Sequence, residues 1–161
     1  MDSRYHLLFS VLYYTGSRLS PVRTLERSHV RLADRVIYFP KVKGARICIC
    51  PFMISQKGLF EQYFAKYDLE EHGYVFPSTR CPDRPHSASD IRNKLRWTAS
   101  QAGLNSLITP HILRHCTATH LTIRTVPQHT IASILGHADL RSTMRYQHLV
   151  VDHLRDSLNM L

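Results

Sequence analysis

Near the start of the chain, Leu7, Leu8, Val11, Leu12 and Tyr14 recur at helical spacing and Gly16 follows them. This predicts an amphipathic helix over residues 4–15, closed by a glycine cap. Ser20-Pro21 reads as an N-cap followed by proline at the first helical position, which opens a short helix through Leu25. The pattern then shifts to short β-like runs at 29–32, 35–39 and 46–51, joined by Ala33-Asp34 and by a turn around Lys43-Gly44. Together they predict a small antiparallel sheet.

Helical spacing returns over 54–67, and a polar, proline-bearing segment at 70–86 reads as a long irregular loop. Ser87-Ala-Ser-Asp90 has capping-box character with Asp in place of Glu, and the helix it opens carries Ile91, Leu95, Thr98, Ala99 and Ala102 up to Gly103. Thr109-Pro110 starts a helix to about Arg124 with Ile112, Leu113, Cys116, Ala118 and Leu121 expected inside. Pro127 opens another that stops at Gly136, and Asp139 is placed to cap a helix carrying Thr143 and Tyr146. An amphipathic piece at 150–161 has Val150, Val151, Leu154, Leu158 and Leu161 at helical spacing. The expected class is α+β, mainly α: a helical domain with one small three-stranded antiparallel sheet.

The 161 residues fit one domain with a real core, and 21 Lys and Arg against 12 Asp and Glu give +9 and a pI near 9.7. That balance points to a nucleic-acid partner. The basic residues are dispersed, with small groups at Lys41/Lys43/Arg46 and Arg92/Lys94/Arg96, so a folded basic face is expected rather than a tail. Cys48, Cys50, Cys81 and Cys116 lack C-x-x-C spacing and read as reduced thiols rather than a disulfide framework. The apolar run at 7–14 is too short for a membrane span and has no cleavage site after it, so a cytoplasmic, DNA-associated protein is expected.

Candidate chemistry gathers in the last third: His111-Ile-Leu-Arg114-His115, then Leu135-Gly136-His137, then Tyr146. A guanidinium fork matches two phosphate oxygens, an imidazole exchanges a proton near neutrality, and a deprotonated phenol is a nucleophile. His111 and Arg114 lie three apart at a predicted helix start, whose N-terminal potential favours an anion. Taken singly, each has an ordinary role: an exposed pair, a turn histidine, a half-buried packing tyrosine, a capping arginine at Arg18, a solvated turn lysine at Lys43.

In order and spacing, however, the pieces resemble the tyrosine recombinases, the phage integrase family. Thr15-Gly16-Ser17-Arg18-Leu19-Ser20 is similar to the first-arginine box, Lys43-Gly44 to the lysine turn, His111-x-x-Arg114-His115 to the second box, Leu135-Gly136-His137 to the third, and Tyr146 to the nucleophile. The resemblance implies a catalytic domain that breaks and rejoins DNA through a 3′-phosphotyrosyl intermediate, as in integration and other DNA recombination of mobile elements. Arg18 and Arg114 would stabilise the charge gained by the phosphate, each worth about 10²-fold by analogy with oxyanion-hole donors. Tyr146 would attack, His111 would assist removal of its proton, His137 would hydrogen-bond the phosphate, and Lys43 would protonate the leaving 5′-oxygen. No metal or nucleotide cofactor is required. The implied partners are double-stranded DNA and other copies in a tetrameric synapse, with no membrane.

Three departures qualify the resemblance. Pro21 stands where an acidic residue usually follows the first arginine. Lys41 competes with Lys43 for the general-acid role, although Lys43 directly precedes the glycine. The family's additional N-terminal core-binding domain is expected to be absent, leaving one catalytic domain over 1–161, excised or naturally short, with 150–161 docking on its own domain or on a neighbour. Lys41, Arg92, Lys94 and Arg96 are candidates for DNA contact, against a purely solvated helix face. Two other classes remain: a DNA-binding remnant or regulator with little catalysis, and a metalloprotein using His111, His115, Cys116 and His120, of which His111 and His115 are one turn apart.

Overall fold

The computed structural model describes residues 2–39, 48–69, 72–104 and 107–136. Helix α1, Ser3–Thr15, starts where Asp2 accepts a hydrogen bond from the Arg4 amide at 3.0 Å, and ends at Gly16 in the left-handed region (φ 58°). Leu7, Leu8, Val11 and Leu12 are buried and make α1 the centre of the core; Tyr14, read as part of the same stripe, is exposed.

Helix α2, Leu19–Arg23, begins earlier than expected, with Arg18 rather than Ser20 at the cap position. Leu19 and Val22, three apart, are both buried, and this pair sets the helix's phase. Pro21 is tolerated because first-turn N–H groups have no acceptor within the helix. A 3₁₀ turn, Arg27–His29, takes His29 out of the expected first strand, leaving β1 as Val30–Arg31. Strands β2, Val36–Phe39, and β3, Cys48–Pro51, complete an antiparallel sheet in the order β1-β2-β3. Val30, Ile37 and Cys50 stand in register on the core face, whereas Ile49, opposite Tyr38, faces outward, as the two-residue period requires.

Helix α3, Ile54–Tyr67, matches its expected bounds and buries Phe60 and Tyr63 against the α1 core. The segment expected to be a long irregular polar loop has no helix among its described residues, 72–86, and it is tied down. Arg27 N donates to Gly73 O, Val75 N to Leu25 O, and the Tyr63 hydroxyl to Val75 O, so Val75 and Phe76 are fully buried. Its far end carries buried His86, whose Nε2 meets the Tyr5 hydroxyl at 2.8 Å.

Helix α4, Ala88–Gln101, is capped by Ser87 and buries Ile91, Leu95 and Ala99. Helix α5, Pro110–Ile123, is capped by Thr109, and α6 runs Gln128–Leu135 into left-handed Gly136. The inward face of α5 differs from the apolar expectation. Ile112 is 37% exposed, and Arg114, Thr117, Ala118 and Thr122 occupy the buried side. Arg114 and Thr117 bond to α1 and the turn after it, and that rotates the helix away from its most hydrophobic phase. A second small core of Ala118, Ile131 and Leu135 joins α5 to α6. The expected helix opened by Asp139 and the piece at 150–161 lie outside the described residues.

Candidate active site

The turn after α1 is built by its own side chains. Buried Thr15 donates its hydroxyl to Val11 O at 2.7 Å and accepts from the Ser17 amide at 3.2 Å, holding Thr15-Gly16-Ser17-Arg18 in one shape. Gly16 is required twice over. Its φ is strained for any other residue, and a Cβ there would overlap Leu135 Cδ2 and crowd Thr117 Cγ2 at 3.3 Å.

From α5, Arg114 reaches this turn. It is 9% exposed, and its Nη1 donates to Gly16 O at 2.7 Å, a charge-assisted bond. Thr117, one turn on, donates its hydroxyl to Tyr13 O and also lies 3.0 Å from Leu113 O, which pins α5 against the end of α1. Three stretches far apart in sequence therefore meet at Gly16: the turn that leads into Arg18, the helix carrying His111 and Arg114, and the end of α6 at Leu135.

Arg18 is exposed at the start of α2, within about 7 Å of the Gly16 Cα by chain length alone. No partner pairs with its guanidinium among the described residues, and none replaces the acid that Pro21 displaces. His111 is exposed in the first turn of α5, where unsatisfied amides give positive potential. Lys41, Lys43, His137 and Tyr146 lie outside the described residues.

The metal-ligand cluster considered on α5 is not assembled. Among the described residues no group of three or more His, Cys, Asp or Glu could hold an ion, and His120 Nδ1 meets the Tyr13 hydroxyl at 2.6 Å. On α4, Arg92 and Arg96 are exposed as expected, whereas Lys94 is half-buried with Nζ 3.8 Å from the Trp97 ring centroid. Sequence reasoning missed Gly16 as the acceptor for Arg114, and Thr15 and Thr117 as the residues that fix the turn. Thr117, three after Arg114, was the available signal.

This convergence is matched at the level of the whole chain, where the phage integrase family profile aligns with residues 1–153. The chain belongs to that family. Among its phage integrase relatives, a tyrosine recombinase of Pseudothermotoga lettingae is 28% identical over 160 residues, covering 99% of this chain and 54% of the relative. The crystal structure of XerA recombinase superposes with a TM-score of 0.85 at 29% identity, covering 99% of this chain and 57% of that one. XerH recombinase in a post-cleavage complex with palindromic difH shares the fold, with a TM-score of 0.83 at 20% identity over 97% of this chain and 45% of its own. The chain thus spans about half the length of the relatives it matches.

Proposed function

We propose that this chain carries the catalytic chemistry of a site-specific DNA recombinase, breaking and rejoining strands through a 3′-phosphotyrosyl link. The observation that carries the reading is the Arg114 to Gly16 bond. It fixes a permanent cation beside the turn that presents Arg18, and Leu135 closes the same spot from α6. One guanidinium held without need for reorganisation, with a second on the adjoining turn, suits a phosphodiester whose non-bridging oxygens gain charge. His111, at a helix N-terminus, is suited to accept the phenol proton, and Tyr146 attacks the phosphorus. Lys43 protonates the leaving 5′-oxygen and His137 donates to the phosphate; these three roles rest on the match of their motifs to the family.

Duplex DNA as the substrate accords with the +9 charge, with Arg92 and Arg96 exposed on α4, and with the DNA-bound XerH relative. Assembly of several copies into a synapse and a cytoplasmic, nucleoid-associated location follow from the same reading. Among the described residues no helix is long and apolar enough to cross a membrane.

Incubating the protein with a pool of nicked duplexes of randomised sequence tests this reading. A detergent-stable protein–DNA adduct that disappears in Tyr146→Phe is expected, and sequencing the trapped DNA reports the target. Tight binding with no adduct under any condition would instead make the chain a regulator that occupies sites without cutting them.

A further inference from the structure

Trp97 is the only tryptophan of the chain, and it is 54% exposed. It is nonetheless held in place. Lys94 Nζ lies 3.8 Å from its ring centroid and 5.7 Å from that of Tyr5, whose hydroxyl is anchored on buried His86. A cation seated over an indole face is attracted to it and restricts its rotation. An exposed aromatic with a fixed orientation is prepared for a contact.

The surroundings indicate which contact. At 100° per residue, the buried stripe of Ile91, Leu95 and Ala99 leaves Asp90, Asn93, Arg96, Trp97 and Ser100 on the outward side, all exposed, so one carboxylate shares the face with the indole. Trp97 is the sole exposed large hydrophobic residue on α4, so the apolar cluster that a protein partner would need is missing there. The helix carries three basic residues, Arg92, Lys94 and Arg96, against one acidic, Asp90. A guanidinium for phosphate or guanine, an amide for adenine and an apolar ring for a thymine methyl together form a base-reading set. Asn93 and Trp97 are four residues apart, about 6 Å along the axis. That spans about two base-pair steps of 3.4 Å.

We infer that Trp97 is a sequence-reading residue, making apolar contact with a thymine methyl in the major groove beside Asn93, and that Lys94 is the positioning residue that holds the indole. The inference rests on duplex DNA being the substrate proposed above and adds which residues read it.

The single tryptophan makes the test direct. The full chain is titrated with randomised duplexes while its intrinsic fluorescence is followed, and the bound sequences are recovered from the wild type, Trp97→Ala, Trp97→Phe and Lys94→Met. The indole emission is expected to change at saturation. Trp97→Ala should lose roughly ten-fold discrimination at one or two adjacent A·T pairs with its salt slope unchanged, and Trp97→Phe should keep part of it. Lys94→Met should weaken preference at those same pairs and leave the salt slope intact, and circular dichroism should report wild-type helix content in each variant.

Binding with unaltered emission, or recovery of the same sequences from Trp97→Ala, overturns the inference while leaving the recombinase reading standing. A lower salt slope in Lys94→Met makes that lysine a phosphate contact and overturns its positioning role. Altered self-association in Trp97→Ala, with DNA preference intact, assigns the indole to a second copy and overturns it as well. Absence of both DNA binding and adduct overturns the two together.

Discussion

Arg114 donates to the carbonyl of Gly16 across 98 positions of sequence, at 2.7 Å and out of contact with most solvent. One cationic side chain thereby joins two helices and stays oriented for an anion. Lysine carries a single compact donor group on a flexible stem and cannot hold the carbonyl and address a phosphate with a fixed fork. Arg114→Lys is expected to lower adduct formation by about 10²-fold, the order seen for loss of a preorganised donor, with only a modest fall in melting temperature. Equal loss of activity and of folded protein would mean that Arg114 serves the fold alone.

Gly16→Ala tests the turn itself. The left-handed φ costs about 1–2 kcal/mol for a residue with a side chain, and relieving the overlap with Leu135 adds about 1–3 kcal/mol. Urea unfolding should therefore show a marked loss of stability, whereas Ser17→Ala, next along the chain, should change it little.

Thr117→Val keeps the shape of the side chain and removes its hydroxyl, leaving Tyr13 O without its α5 donor. A loss of about 1–3 kcal/mol is expected from denaturant midpoints. A neutral result would show that water or a neighbouring group replaces the hydroxyl.

His86 predicts a pH dependence of stability. Burial, reinforced by the nearby Arg4 charge and opposed by Asp90, holds its imidazole below the ordinary value. A base with a depressed pKa binds its proton more readily when unfolded, so its contribution is complete above about pH 6.5 and is lost as pH falls through the folded value. The stability difference between wild type and His86→Gln, measured by urea unfolding from pH 7.5 to 5, should shrink toward acid. A constant difference would remove His86 as the cause.

Arg92 and Arg96 differ from Trp97 in what they should do. If they neutralise phosphates, each change to alanine lowers the slope of log affinity against log salt by about 0.9 and weakens all sequences alike. An unchanged slope would return both to the solvated face of α4.

The elements legible in the sequence were those with an apolar period and a stop signal. Helix α3 matches at both ends, and Gly16 and Gly136 end their helices as left-handed caps. The pattern failed where the inside is polar. On α5 the buried side carries Arg114, Thr117 and Thr122 beside the expected Ala118; hydrophobic periodicity does not count the first three, and it turned Ile112 inward instead. Composition likewise hid the anchoring of Val75 and Phe76, because the bonds that tie this segment down come from residues distant in sequence, the Leu25 carbonyl, the Arg27 amide and the Tyr63 hydroxyl. In the site, Arg18 and Arg114 were recognisable by type and order. Their relation through Gly16 and Leu135 depends on contacts between helices, which no local spacing encodes.

The segment after α3 divides into an anchor and a tip. Val75 and Phe76 are locked in the core, whereas residues 79–84 are exposed beyond the pairing of Pro77 with Pro85, closed by Ser78 N to Arg84 O at 2.8 Å. Lengthening a flexible closed loop costs only about 0.6 kcal/mol per doubling. The tip is thus a place where the chain can accept added sequence, an affinity tag or an extra module, without disturbing Gly16 or Arg114, while deletion a few residues earlier would remove part of the core.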